Sequence, residues 1–129
     1  MHGKKTEPTT CLDVAKLEEQ FSGKPRLLDV MKQEFASLQE TLLPELQNAY
    51  AEGNLQSLKD LAHTLKGNAA LIGAIEVQEL AGHIEIAARN ANREDLQAKT
   101  EQLPASFQQA LEQLERVCVR RGMDTVHSR

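Results

Sequence analysis

The sequence predicts an all-α fold: an antiparallel four-helix bundle with a short extra helix at its N-terminus. Three observations predict it. Leu, Ala, Glu and Gln dominate while Val, Ile and Thr are sparse, and the dominant residues are good helix formers. Apolar residues recur in steps of three and four with no strand-like alternation, which is the helical period. Gly, Pro and Asn divide the chain into five segments. Each has one apolar stripe, so none is buried all round, and short loops favour antiparallel neighbours.

The first segment runs from about Cys11 to Phe21, with Thr10 as its expected cap, Asp13 three residues on, and Ser22-Gly23 as its stop. The second begins at Pro25, a residue suited to a first helical turn, and ends at Gly53. Its stripe is Leu28, Met31, Phe35, Leu38, Leu42, Leu46 and Ala49. Pro44 inside it removes a backbone donor and predicts a kink. The third starts at the cap Asn54 and carries Leu55, Leu58, Leu61, Ala62, Leu65, Ala69 and Ile72 before Gly73 breaks it. The fourth, about Ala74 to Ala91, sets Val77, Leu80, Ala81, Ile84, Ala87 and Ala88 on one side. The fifth follows Asn90-Ala91-Asn92, with Asn92 as its cap, and carries Leu96, Leu103, Phe107, Ala110, Leu114 and Val117. Pro104 is expected to bend or split it, and Gly122 to end it. On this reading residues 1–9 are a disordered tail, 10–122 the bundle and 123–129 a second disordered tail.

Composition excludes several classes. At 129 residues the chain is one domain's worth. With 15 Lys+Arg against 19 Asp+Glu the net charge is −4, which does not suit nucleic acid or an anionic membrane. Aromatics are 3% with no Trp, so base-stacking platforms are lacking. No apolar run approaches the ~18 residues of a membrane span, and Met1 to Thr10 lacks the apolar stretch of a signal peptide. Cys11 and Cys118 lie near opposite ends and form neither a CxxC pair nor a zinc spacing. They read as reduced packing residues of a cytoplasmic chain.

The third segment breaks its own pattern at His63-Thr64-Leu65-Lys66-Gly67. On a wheel with Leu58 at zero and ~100° per residue, His63 falls at ~140°, away from the stripe. Lys59 and Lys66 lie within a turn of it on the same side, and Gly67 and Ala70 leave small surfaces beside it. A glycine inside a helix costs ~1 kcal/mol relative to Ala. Here it clears an approach to an exposed imidazole with cations at its rim, the makings of a phosphate-accepting histidine. On spacing alone, a plain surface histidine with solvating lysines, and a glycine serving helix packing, fit equally well.

Ala62-His63-Thr64-Leu65-Lys66-Gly67, followed by Leu71-Ile72-Gly73-Ala74 and Leu80, resembles the signature of histidine-containing phosphotransfer (HPt) domains. Leu43-Pro44-Glu45 in the kinked second helix is similar to members of that family as well. The resemblance covers about residues 10 to 120 in helix order, and its specific motif about 30 residues. It implies that His63 is the phosphoacceptor, that Lys66 stabilises the transferring phosphoryl group with Lys59 as a second helper, and that Gly67 admits the partner. It implies that Glu85 on the next helix orients the imidazole. A plain surface carboxylate is the other reading of Glu85.

The partners implied are response-regulator receiver domains and a hybrid sensor histidine kinase. The receiver would bring the acceptor aspartate and Mg²⁺, because the chain has no P-loop and no nucleotide-binding glycine loop. Transfer would be reversible, from one receiver aspartate to His63 and on to another. No cofactor or metal of its own is expected, and a monomer is. Gly82 and Ile86, off the stripe of the fourth segment, read with Ala70 as a small docking patch. Two rivals remain: an adaptor bundle that has lost phosphorylation, and a metal bundle using Glu79 and His83. The second lacks the paired inward Glu-x-x-His motifs that such sites need.

Overall fold

The computed structural model describes residues 12–127, with side chains described over 12–118. Six helices follow one another: α1 (Val14–Gln20), α2 (Pro25–Glu40), α3 (Leu42–Glu52), α4 (Leu55–Leu71), α5 (Ile75–Arg89) and α6 (Arg93–His127). Among the described residues there is no strand. The segments α2 and α3 together form one arm of a four-sided bundle. This arm packs on α4 through α3 and on α6 through α2, and α5 packs between α4 and α6. None of the described helices is long and apolar enough to cross a membrane.

The arm that reads as one kinked helix is two helices, broken at Thr41. Pro44 has no N–H, and its ring collides with the carbonyl four residues back. That carbonyl belongs to Glu40, the last residue of α2. Restarting at Leu42 places Pro44 in the first turn of α3, where no intrahelical donor is needed. Thr41 seals the break by donating its N–H and its hydroxyl to the Ser37 carbonyl, at 3.1 and 3.0 Å. The restart changes the inward face: Leu43 joins Leu46 and Ala49 in the core, while Leu42 is only partly buried.

Pro104 acts differently. α6 is continuous through it, so neither the split expected there nor the stop at Gly122 occurs. Leu103 and Phe107, on either side of the proline, are completely buried, and their packing holds the helix together across the missing bond to the Thr100 carbonyl. Phe107 stacks on Phe35 of α2, ring centroids 4.5 Å apart and planes within 8°. At Gly122 a single glycine costs about 1 kcal/mol, too little to stop a helix unaided.

The caps at Asn54 and Asn92 stand where the sequence places them. Their side-chain oxygens accept the N–H groups of Ser57 and Asp95, each at 3.2 Å. The cap of α1 is Asp13, accepting the Lys16 N–H at 3.0 Å; Thr10, the expected cap, lies outside the described residues, as do Cys11 and residues 1–9. α1 lies across the α4–α5 turn. The Asp13 N–H donates to the Gly73 carbonyl at 2.8 Å, Lys16 Nζ donates to the Ala70 carbonyl at 3.2 Å, and Leu12, Leu17 and Phe21 are buried. Gly73 has φ +72°, a left-handed backbone that favours glycine. Cys118 packs, half-buried, against the core.

Candidate functional site

The seam between α4 and α5 gathers most of the residues singled out in the sequence. Leu58, Ala62, Leu65 and Ala69 anchor α4 in the core, which turns the opposite face, with His63, outward. The His63 side chain is 67% exposed. Glu85 sits on α5 between Ile84 and Ala87, both buried. It is itself only 8% exposed, so it is not a plain surface carboxylate.

A buried carboxylate needs partners, and Glu85 has three. Its Oε2 lies 3.0 Å from His63 Nδ1, its Oε1 lies 3.0 Å from Lys66 Nζ, and Arg89 Nη2 lies 3.6 Å from Oε2. The hydrogen bond from Lys66 is the main cause holding the Glu85 carboxyl below its ordinary range. Burial opposes it, and the contact with His63 adds to it. An ionised carboxylate only accepts hydrogen bonds, so the geometry favours the tautomer in which Nδ1–H donates to Glu85. Nε2 then carries the lone pair.

The two glycines differ. A Cβ built on Gly67 would meet nothing within 4 Å, so no internal packing requires glycine there, and the packing reading of it falls. A Cβ on Gly82 would lie 3.4 Å from Lys66 Cδ. The Lys66 stem, which reaches Glu85, therefore passes beside Gly82, which is half-buried. Ile86 is 50% exposed one turn along α5 from it, and Ala70 is half-buried one turn beyond Gly67 on α4.

Lys59 is not part of the Glu85 cluster. It lines an adjoining cleft of about 300 Å³ together with Arg89, which the cleft and the cluster share. Arg89 itself escaped the sequence reading, although its spacing of four residues from Glu85 on one helix is the ordinary signal of such a pair. His83 and Glu79 are both exposed and do not project into the bundle. Among the described residues no group of three or more His, Cys, Asp or Glu side chains is placed to hold a metal ion.

The family model for the Hpt domain matches residues 26–119. No curated protein matches the chain. Among solved structures, the chain is similar to histidine-containing phosphotransfer protein B (HptB) from Pseudomonas aeruginosa PAO1. The identity is 26% and the TM-score 0.70, over 88% of this chain and 97% of that one. It also shares its fold with the HPT domain of a sensor hybrid histidine kinase from Shewanella, at 19% identity and TM-score 0.71, over 86% of this chain and 96% of that one.

Proposed function

Since the chain belongs to the Hpt domain family, which serves phosphotransfer in two-component systems, we propose that it is a phosphorelay carrier with His63 as its phosphoacceptor. One observation carries this reading: a solvent-exposed imidazole whose Nδ1 is engaged by a buried, Lys66-paired carboxylate. That arrangement leaves Nε2 free, outward and nucleophilic.

In the forward step Nε2 attacks the phosphorus of an aspartyl phosphate on a receiver domain. The N–P bond forms as the P–O bond to the aspartate breaks, and the aspartate carboxylate leaves with the electron pair. The ring, still carrying its Nδ1 proton, gains positive charge, which the Glu85 carboxylate stabilises across the 3.0 Å contact. Lys66 Nζ is held beside the ring through Glu85 and offers its charge to the equatorial phosphoryl oxygens. Gly67 leaves the space that the partner's loops enter. The reverse step, to the aspartate of a second receiver, uses the same groups. The receivers bring the aspartates and the Mg²⁺. The chain supplies a positioned nucleophile, whether it acts alone or as a module of a hybrid sensor histidine kinase.

Incubation with a panel of phosphorylated receiver domains tests the reading, comparing wild type with His63→Gln and His83→Gln. An acid-labile, base-stable label lost only in His63→Gln is the expected result. Absence of label from every donor would favour an adaptor bundle without phosphorylation. A label surviving in His63→Gln would place the acceptor elsewhere.

A further inference from the structure

α4 separates two cavities of opposite charge. On the α5 side, Leu55, Gln56, Lys59, Ala88, Arg89 and Ala91 line a cleft of about 300 Å³ that has two cations and no carboxylate in its wall. On the α3 side a cavity of about 370 Å³ carries Glu45, Glu52 and Asp60 and no cation. The nearest acid to the first cleft along α4, Asp60, is turned to the second cavity, with Gln56 Nε2 at 3.2 Å from each of its oxygens. In a chain of net charge −4, the cleft on the His63 side of α4 is thus lined by cations and no acid.

The two cations are not equivalent. Arg89 is partly neutralised by Glu85, 3.6 Å away. Lys59 forms no ion pair among the described residues. It lies one turn N-terminal of His63 on the same seam, beside a floor of Leu55, Ala88 and Ala91. A half-buried lysine with no carboxylate partner, in a cleft with an apolar floor, is a ready receptor for a carboxylate carried on an apolar surface.

We propose that this cleft is a docking subsite for an acidic side chain of the protein that exchanges phosphoryl groups with His63, and that Lys59 is its principal contact. The inference rests on the carrier function proposed above and deepens it by assigning Lys59 to the partner rather than to the phosphoryl group. The acidic cavity on the far flank of α4 repels the same side chain, so the pair of cavities sets the partner's orientation as well as its affinity.

The test is the concentration dependence of transfer from the phosphorylated receiver that labels the full chain fastest, using wild type, Lys59→Gln and Lys59→Glu. The thermal unfolding of each variant is followed to confirm that it is folded. Lys59→Glu should raise the receiver concentration for half-maximal rate by about five-fold at low salt, the upper range for one exposed ion pair, with Lys59→Gln between it and wild type. The saturating rate should not change. At ~1 M salt, where the screening length is about 3 Å, the three proteins should converge. A fall in the saturating rate at unchanged half-saturation would overturn the assignment, because Lys59 would then act on the phosphoryl group. Identical half-saturation in all three would overturn it as well. Failure of every receiver to label wild type is a different outcome, which removes the carrier function and this subsite with it.

Discussion

His63 and Glu85 face each other across the α4–α5 seam with Nδ1 3.0 Å from Oε2, the imidazole exposed and the carboxylate buried. The exposed partner is the one proposed to react, and the buried one is fixed. Glu85 is fixed chiefly by Lys66, whose hydrogen bond depresses its pKa below the ordinary 4.5. A carboxyl whose folded pKa is depressed contributes stability above its unfolded pKa and loses it as pH falls through the folded value. The wild-type advantage in thermal stability over Glu85→Gln should therefore be full at pH 5.5, about 1 kcal/mol for a charge-assisted bond to a partly exposed lysine. It should shrink progressively below pH 4.5. A difference that stays constant down to pH 3 would show that Glu85 stabilises the bundle by packing rather than as an anion.

Thr100 is the one buried polar side chain among the described residues whose oxygen has no hydrogen-bond partner. It lies four residues before Pro104, so its carbonyl also lacks the helical donor it would otherwise receive. A buried hydroxyl with no partner carries its full desolvation cost. Thr100→Val keeps the branched shape and removes that cost. It should raise the stability of the chain by about 1 kcal/mol in urea unfolding. A loss of stability would mean that the hydroxyl is bridged by water.

Ala91 is the only non-glycine described with positive φ, at 55°. It occupies the left-handed position in the turn from α5 to α6, where the Asn92 N–H reaches back to the Ala87 carbonyl at 2.9 Å. An L-residue spends roughly 1–2 kcal/mol in that region, and glycine loses roughly 0.5–1 kcal/mol more backbone freedom on folding. Ala91→Gly should therefore stabilise by a net of about 0.5 kcal/mol, read as a rise in the urea midpoint at unchanged slope. A fall would show that the methyl group packs usefully against the cleft it lines.

What the sequence discloses about this bundle follows the range of the interactions. Helix periodicity and the caps at Asn54 and Asn92 depend on neighbours within a turn, and both are readable. The exposure of His63 follows from the same local register, because the stripe that buries Leu58 and Leu65 must turn position 63 outward. The two prolines separate local from tertiary effects. At Pro44 the break can be placed only once it is known that α3 restarts at Leu42 with Leu43 turned inward. At Pro104 the core packing of Leu103 and Phe107 overrides the local penalty. Glu85 falls at the edge of the α5 stripe, four residues after Ala81 and three before Ala88, so its turn toward α4 is local, whereas its pairing with Lys66 and the contact of the Lys66 stem with Gly82 depend on how α4 lies on α5. Arg89 is the reverse case, since its pairing with Glu85 is local and was open to reading from spacing.

Gly67 separates stability from function. It lies in the interior of α4, where glycine is about 1 kcal/mol less favourable than alanine, and a Cβ there would touch nothing within 4 Å. Its backbone is helical, so alanine enters without strain. No contact among the described residues accounts for the glycine, and on the proposed function the missing methyl group matters to a partner arriving beside His63 on the next turn. Gly67→Ala should therefore stabilise the protein by about 1 kcal/mol in urea unfolding while slowing transfer from a phosphorylated receiver roughly ten-fold or more, the scale set by displacing a reacting group from its in-line position. The two measurements must move in opposite directions. A stabilised variant with unchanged transfer would mean that the partner approaches from another side of the imidazole, and a destabilised one that Gly67 has an internal contact. Gly67→Ala combined with Lys59→Glu separates the steps further: the first change lowers the saturating rate, the second raises the half-saturating concentration, and the two effects should multiply if approach and docking are independent.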